Sequence, residues 1–108
     1  MTLHDPGADQ TLVQVSADAV IVTAIDAYNP GAALAFLQLF NRPSADVTLG
    51  TTVPDFVVPI PDAGGRDTVY PGGLRFADAL TYAVTGSPGG NDAPASPVVL
   101  SFGFAWRS

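Results

Sequence analysis

The chain has 108 residues, ten acids that are all Asp, four Arg and no Lys, Glu or Cys, for a formal net charge of −6. That length bounds it to one domain. The balance excludes disulfide stapling, thiolate and lysine chemistry, and the electrostatic term that drives nucleic-acid binding. Attraction to anionic lipid is excluded on the same ground. Hydrophobic residues make 47% of the chain despite 11 Gly and 10 Pro, which argues for a folded core of short strands and tight turns.

In chain order, residues 1–10 contain Pro6 and Gly7 and read as an N-terminal arm ahead of a single domain, 11–108. They carry no basic region followed by an apolar run, so they do not read as a secretory signal. Thr11 to Val15 is a short strand. Ala19 to Tyr28 (AVIVTAIDAY) is β-branched and reads as a strand, with Val20, Val22 and Ala24 on one face and Ile21, Thr23 and Ile25 on the other. Asn29-Pro30-Gly31 is a turn. Ala32 to Asn41 (AALAFLQLFN) has a composition open to a helix. Its position between proline turns and its two apolar faces favour a strand buried inside a sandwich. Leu37 and Leu39 then point away from Leu34, Phe36 and Phe40, so one set needs a second cover, either within the fold or on another subunit.

Ala45 to Thr52 reads as a loop with a brief strand. Asp55 to Pro61 (DFVVPIP) is an edge strand, because proline cannot donate to a ladder. Arg66 to Tyr70 is a short strand broken by Pro71-Gly72-Gly73. Gly73 to Gly86 alternates in Leu74, Phe76, Leu80, Tyr82 and Val84, with a bend at Asp78. Ser87 to Pro97 is a surface loop. Val98 to Arg107 sets Val98, Leu100, Phe102, Phe104 and Trp106 against Val99, Ser101, Gly103, Ala105 and Arg107, a bulky core face and a small face suited to close approach by a neighbour. The sum is all-β: a single antiparallel β-sandwich, jelly-roll-like, of about seven short strands.

No residue set rises to a catalytic, cofactor or metal site. The one histidine, His4, lies in the N-terminal segment and reads as solvated. A glycosidase needs two carboxyls in a cleft, and most Asp positions (Asp5, Asp55, Asp62, Asp92) read as turn formers. Calcium is conceivable at Asn91-Asp92 or Asp62 to Asp67, but the EF-hand spacing is missing. The Gly-Gly pairs continue into no phosphate-binding motif. Seven aromatics (Phe36, Phe40, Phe56, Phe76, Tyr82, Phe102, Phe104) read as core, leaving Tyr28, Tyr70 and Trp106 for a stacking surface. Leu37, Leu39, Tyr70 and Trp106 are the candidate subunit-interface residues.

Two stretches carry a resemblance. Leu34 to Pro61 (LAFLQLFNRPSADVTLGTTVPDFVVPIP) has a strand ending in L-F-N and then V-V-P-I-P. Tyr70 to Ala95 (YPGGLRFADALTYAVTGSPGGNDAPA) has G-L-x-F-x-x-x-L-x-Y-A-V-T-G and an Asn-Asp loop. Together they resemble a group of small β-sandwich virion proteins of tailed bacteriophages and prophages. The likeness covers about two-thirds of the chain and rests on turn and core residues, so it bears on fold more than on role. Ala79 stands where the group usually has Gly, and the last strand is aromatic where the group is aliphatic and polar. The resemblance implies a non-enzymatic capsid decoration, cement or head-fibre protein, or a minor tail part. Its partners would be the major capsid protein or other virion subunits, with self-association as a homotrimer, and its place the virion assembled in the host cytoplasm. No cofactor, nucleic acid or membrane is implied. A carbohydrate- or ligand-binding sandwich using Tyr70 and Trp106 is the alternative.

Overall fold

β-Branched runs alternate with Pro and Gly clusters along the chain, and the fold follows that alternation. The structure, a computed structural model, describes residues 2–106, the side chains of Thr2, Val69, Tyr70, Pro71 and Trp106 excepted. Among the described residues there are eight strands: β1 (Thr2–Ala8), β2 (Val13–Ser16), β3 (Val20–Asn29), β4 (Ala35–Phe40), β5 (Phe56–Ile60), β6 (Gly64–Phe76), β7 (Leu80–Thr85) and β8 (Val98–Trp106). One 3-10 turn, Ser44–Asp46, lies between β4 and β5 in place of the brief strand expected there. The strands form two antiparallel four-stranded sheets, in the orders β1-β8-β3-β6 and β2-β7-β4-β5. The first is called here the front sheet and the second the back sheet. The architecture is all-β, as the alternation indicates, with eight strands where about seven were expected.

The core lies between the sheets. Val20, Val22, Ile25, Leu100 and Phe102 from the front meet Leu37, Leu39, Ile60, Leu80 and Tyr82 from the back. The Tyr82 and Phe102 rings sit 5.1 Å apart at 53°, a tilted aromatic pair. Burying each such side chain contributes roughly 1.5–3 kcal/mol. From Val98 to Phe104 the bulky face of β8 is buried and its small face points outward, as its alternation demands.

Four segments depart from the sequence reading. Residues 2–8, expected as part of an arm, form an edge strand: Leu3, His4 and Asp5 pair with Phe102, Ser101 and Leu100. The strand continues past Pro6 because an edge strand has one side free, where a missing N–H costs nothing. The face assignment of β3 holds only to Val22. Thr23 is an extra residue opposite β8, so the ladder shifts between Val22 and Ala24 and the inward set becomes Ile25, Ala27 and Asn29. Pro71-Gly72-Gly73 does not break β6 but bulges within it, since Leu74 pairs with Val22 and Val69 with Ala24. Gly72 and Gly73 have φ of 82° and 80°, which favours glycine, and a Cβ on Gly73 would lie 2.0 Å from Ile21 Cγ2. The turn at Asp78 carries the chain from one sheet to the other, so Phe76 and Leu80 serve the core from opposite sides.

The outer faces of the two sheets differ. On the back sheet, Gln38, Phe40, Thr81, Ala83 and Thr85 all point away from the core and are nevertheless buried. The chain's own loops cover them. Gln38 Nε2 donates to Thr85 Oγ1 at 2.7 Å and to the Gly90 carbonyl at 3.1 Å, and Thr81 Oγ1 donates to the Arg42 carbonyl at 2.9 Å. This is the second cover that the two apolar faces of β4 require. Gln38 Oε1 is buried without a partner among the described residues, a cost of about 1–3 kcal/mol borne by an otherwise closed face. Among the described residues the front sheet has no such cover. Asp26, Tyr28, Asp67, Arg75 and Ala105 on its outer side are exposed, and Ile21, Ala24, Val99, Ser101 and Gly103 are partly so.

Candidate functional site

The exposed face of the front sheet is the candidate surface. It is built in rows across the strands. His4, Ser101, Asp26 and Asp67 are successive neighbours on β1, β8, β3 and β6. The next row runs through Thr2, Gly103, Ala24 and Val69, and the one beyond it through Ala105, Ile21 and Arg75. On the other side of the first row lie Val99, Tyr28 and Gly65.

Regular pleating explains most of these placements, since residues two apart on β8 share a face. Asp26 reaches the outer face only because the Thr23 bulge changes the phase of β3. Without that extra residue, Asp26 would point into the core and Ile25 into solvent. Gly103 leaves room for Thr23, whose Oγ1 would lie 3.2 Å from a Cβ at that position.

His4 Nδ1 lies 2.9 Å from Ser101 Oγ, so the histidine expected in a loose arm is held on a strand next to a hydroxyl. A nucleophilic triad needs a carboxylate behind the imidazole and an oxyanion hole before the serine. Here Asp26 and Asp67 follow Ser101 in the row, on the side away from His4, where they cannot orient the ring. Asp26 and Asp67 face each other across the β3·β6 pairing. A hydrogen bond to Asp67, then burial, then repulsion from Asp67 hold the Asp26 carboxyl above its ordinary range. The bond needs a shared proton, which ionisation of Asp26 would remove. No cleft opens among the described residues, and no trio of His, Cys, Asp or Glu side chains is placed to hold a metal ion.

The expected site residues do not gather here. Leu37 and Leu39 are fully buried in the core between the sheets, so they offer nothing to a partner and leave the list of interface candidates. The side chains of Tyr70 and Trp106 lie outside the described residues. Of the calcium candidates, Asp92 accepts the Ser87 hydroxyl at 2.6 Å and shapes its loop. Asp67 lies on the front face. Asp5, expected as a turn former, points inward from β1 and accepts the Tyr82 hydroxyl at 2.5 Å, which ties the two sheets together. Burial first, and then Asp5, push the Tyr82 hydroxyl well above its usual range. The sequence reading missed the Asp26–Asp67 pair. Its one signal was that Asp26 and Asp67 each fall inside a strand-like run rather than beside Pro or Gly.

Fold and surface together define a class: a small all-β protein of two antiparallel sheets, one covered by its own loops and one with an open face. Comparison with protein-family models, curated proteins and solved structures returned no match for the chain.

Proposed function

We propose that the chain is a jelly-roll sandwich serving as a non-enzymatic structural protein of a tailed-phage virion. In this reading it is a capsid decoration, cement or head-fibre protein that binds the major capsid protein or other virion subunits. The strand order supports the jelly-roll part. Pairs β4·β5, β3·β6, β2·β7 and β1·β8 nest like one long hairpin rolled over on itself, the double-sheet arrangement used by many capsid and lectin domains.

One observation carries the reading. The two stretches that resemble virion sandwiches fall together in space. Leu34 to Pro61 supplies β4, β5 and the loop between them, and Tyr70 to Ala95 supplies the end of β6 on the front sheet, then β7 and the loop after it. Those loops meet: the position of a Gly50 Cβ lies 3.1 Å from Asn91 Cβ, and Gln38 bonds Gly90. The two stretches thus join where β4 pairs with β7 and their loops touch, which supports reading them as connected structure rather than scattered turns.

A structural role asks for a stable sandwich and a surface for neighbours, and needs no reacting groups. The test is mass spectrometry of purified particles from an infected or induced host. The expected result is copurification at a copy number matching a symmetry of the head. Absence from intact particles overturns the reading. Binding to a glycan array by the particle-free protein would favour the carbohydrate-binding alternative.

A further inference from the structure

The front sheet's outer face has one property that single residues do not reveal: charges of opposite sign lie on either side of its middle row. Ser101, Gly103 and Ala105 are successive outward residues of β8, so their rows are evenly spaced, roughly 6.8 Å apart. The row through Ser101 ends on β6 at Asp67, next to Asp26. The row through Ala105 ends on the same strand at Arg75. Acids lie on one side of the Gly103–Ala24 row and a base on the other.

We propose that this face is the interface of a two-fold dimer of the chain, in which Arg75 of each copy lies over the partner's Asp67 and Asp26. The axis runs in the interface along the Gly103–Ala24 row, perpendicular to the strands. Rotation about it returns each strand onto its own counterpart and exchanges the rows on either side. Arg75 on β6 therefore falls on the partner's Asp67, and the reciprocal contact follows by symmetry.

Three observations favour a second copy as the occupant. The first is charge complementarity. Two carboxyls directly opposite each other on neighbouring strands destabilise a sheet, and an arginine from the partner would offset that repulsion. The second is shape. Gly103 on β8 and Ala24 on β3 keep that part of the middle row shallow, and Gly73, which has no side chain, is the residue of the β6 bulge against Ile21. The third is area. Four strands about 4.8 Å apart and a ten-residue β3 make a face of roughly 600 Å². Two such faces bury about 1,200 Å², the lower end of what specific interfaces need. The back sheet offers no comparable face, because its loops occupy it. The dimer does not depend on a virion role.

The experiment is analytical ultracentrifugation of the full chain and of the charge reversals Arg75→Asp and Asp67→Arg. Both side chains are exposed, and circular dichroism checks that each variant folds. The wild type is expected to dimerise, and each reversal alone to weaken dimerisation about tenfold or more by setting like charges together. An equimolar mixture of the two variants is expected to associate again, because each heterodimer restores both opposite-charge contacts. Should a reversal fail to fold, Arg75→Gln and Asp67→Asn replace it and are expected to weaken the dimer, with partial rescue on mixing because one Arg75–Asp67 contact returns. A wild-type chain that is monomeric up to its solubility limit, or trimeric, overturns the proposal. So does a dimer indifferent to both reversals, or a mixture that fails to associate.

Discussion

Asp26 and Tyr82 show how single polar groups register the fold. The Asp26 carboxyl is held above its ordinary value of 3.8 by its bond to Asp67. The folded chain therefore keeps a proton that the unfolded chain releases, and stability falls as pH rises from that value through the raised one. His4 and Ser101 on β1 and β8, and Asp67 on β6, are the polar groups facing Asp26 across its row. Asp26→Asn is expected to be more stable than the wild type at neutral pH and to lose this fall. Urea midpoints between about pH 4 and 7 would measure both. Tyr82 works in the same direction, at higher pH. Its hydroxyl must stay protonated to donate to Asp5, so the stability it contributes is lost as pH climbs above about 10. Tyr82→Phe removes the donor and leaves a half-buried carboxylate with the Gly7 N–H at 3.1 Å. The expected cost is about 1.5–3 kcal/mol by chemical denaturation.

At the scale of elements, alternation was readable wherever a strand is regular. On β8, bulky and small residues alternate from Val98 to Ala105, and both faces came out as the pattern indicates. On β5, Val58 and Ile60 are buried and Pro59 sits on an edge, where its missing N–H does no harm. Irregularity defeated the pattern. Thr23 shifts β3 by one residue, and no local signal separates Val-Thr-Ala as a bulge from Val-Thr-Ala as plain strand. The extra residue is defined only against the partner strand. The same holds at Pro71-Gly72-Gly73, which is chemically a turn but is carried inside β6 because both flanks pair with β3. That bulge is sensitive to side chains. Gly73→Ala combines a φ of 80° with a Cβ 2.0 Å from Ile21 Cγ2, and is expected to cost about 1–3 kcal/mol in thermal or chemical unfolding.

For the whole molecule, the two sheets depend on one shared core. Phe102 is fully buried at its centre, against Tyr82. Phe102→Asp would place an unpaired charge there and is expected to abolish folding, because the penalty exceeds about 4 kcal/mol in a domain whose whole stability is only about 5–15 kcal/mol. Loss of the circular dichroism spectrum and of soluble yield would register it. The sandwich also separates two kinds of sheet face. One is closed by the chain's own loops, and the other is open among the described residues.

The amino-acid sequence by itself determined the class of the fold, the positions of most strands and the residues of the core. Those properties depend on local alternation and turn chemistry, which are written along the chain. It also excluded chemistry that needs thiols, lysines or a histidine cluster, because missing residue types are visible without a structure. The composition did not show where the remaining charges would sit. Asp26 and Asp67 were read within strands but not as a facing pair, and Leu37 and Leu39 were expected to be open to a partner. Tertiary structure decided otherwise for a physical reason. Which face of a strand is inside depends on register against strands far away in the chain, and whether an outer face is bare depends on where distant loops come to rest. The missing Glu and Lys therefore did not leave the front sheet uncharged. The few charges present were set at its two ends, an arrangement that only pairing between β3, β6 and β8 creates.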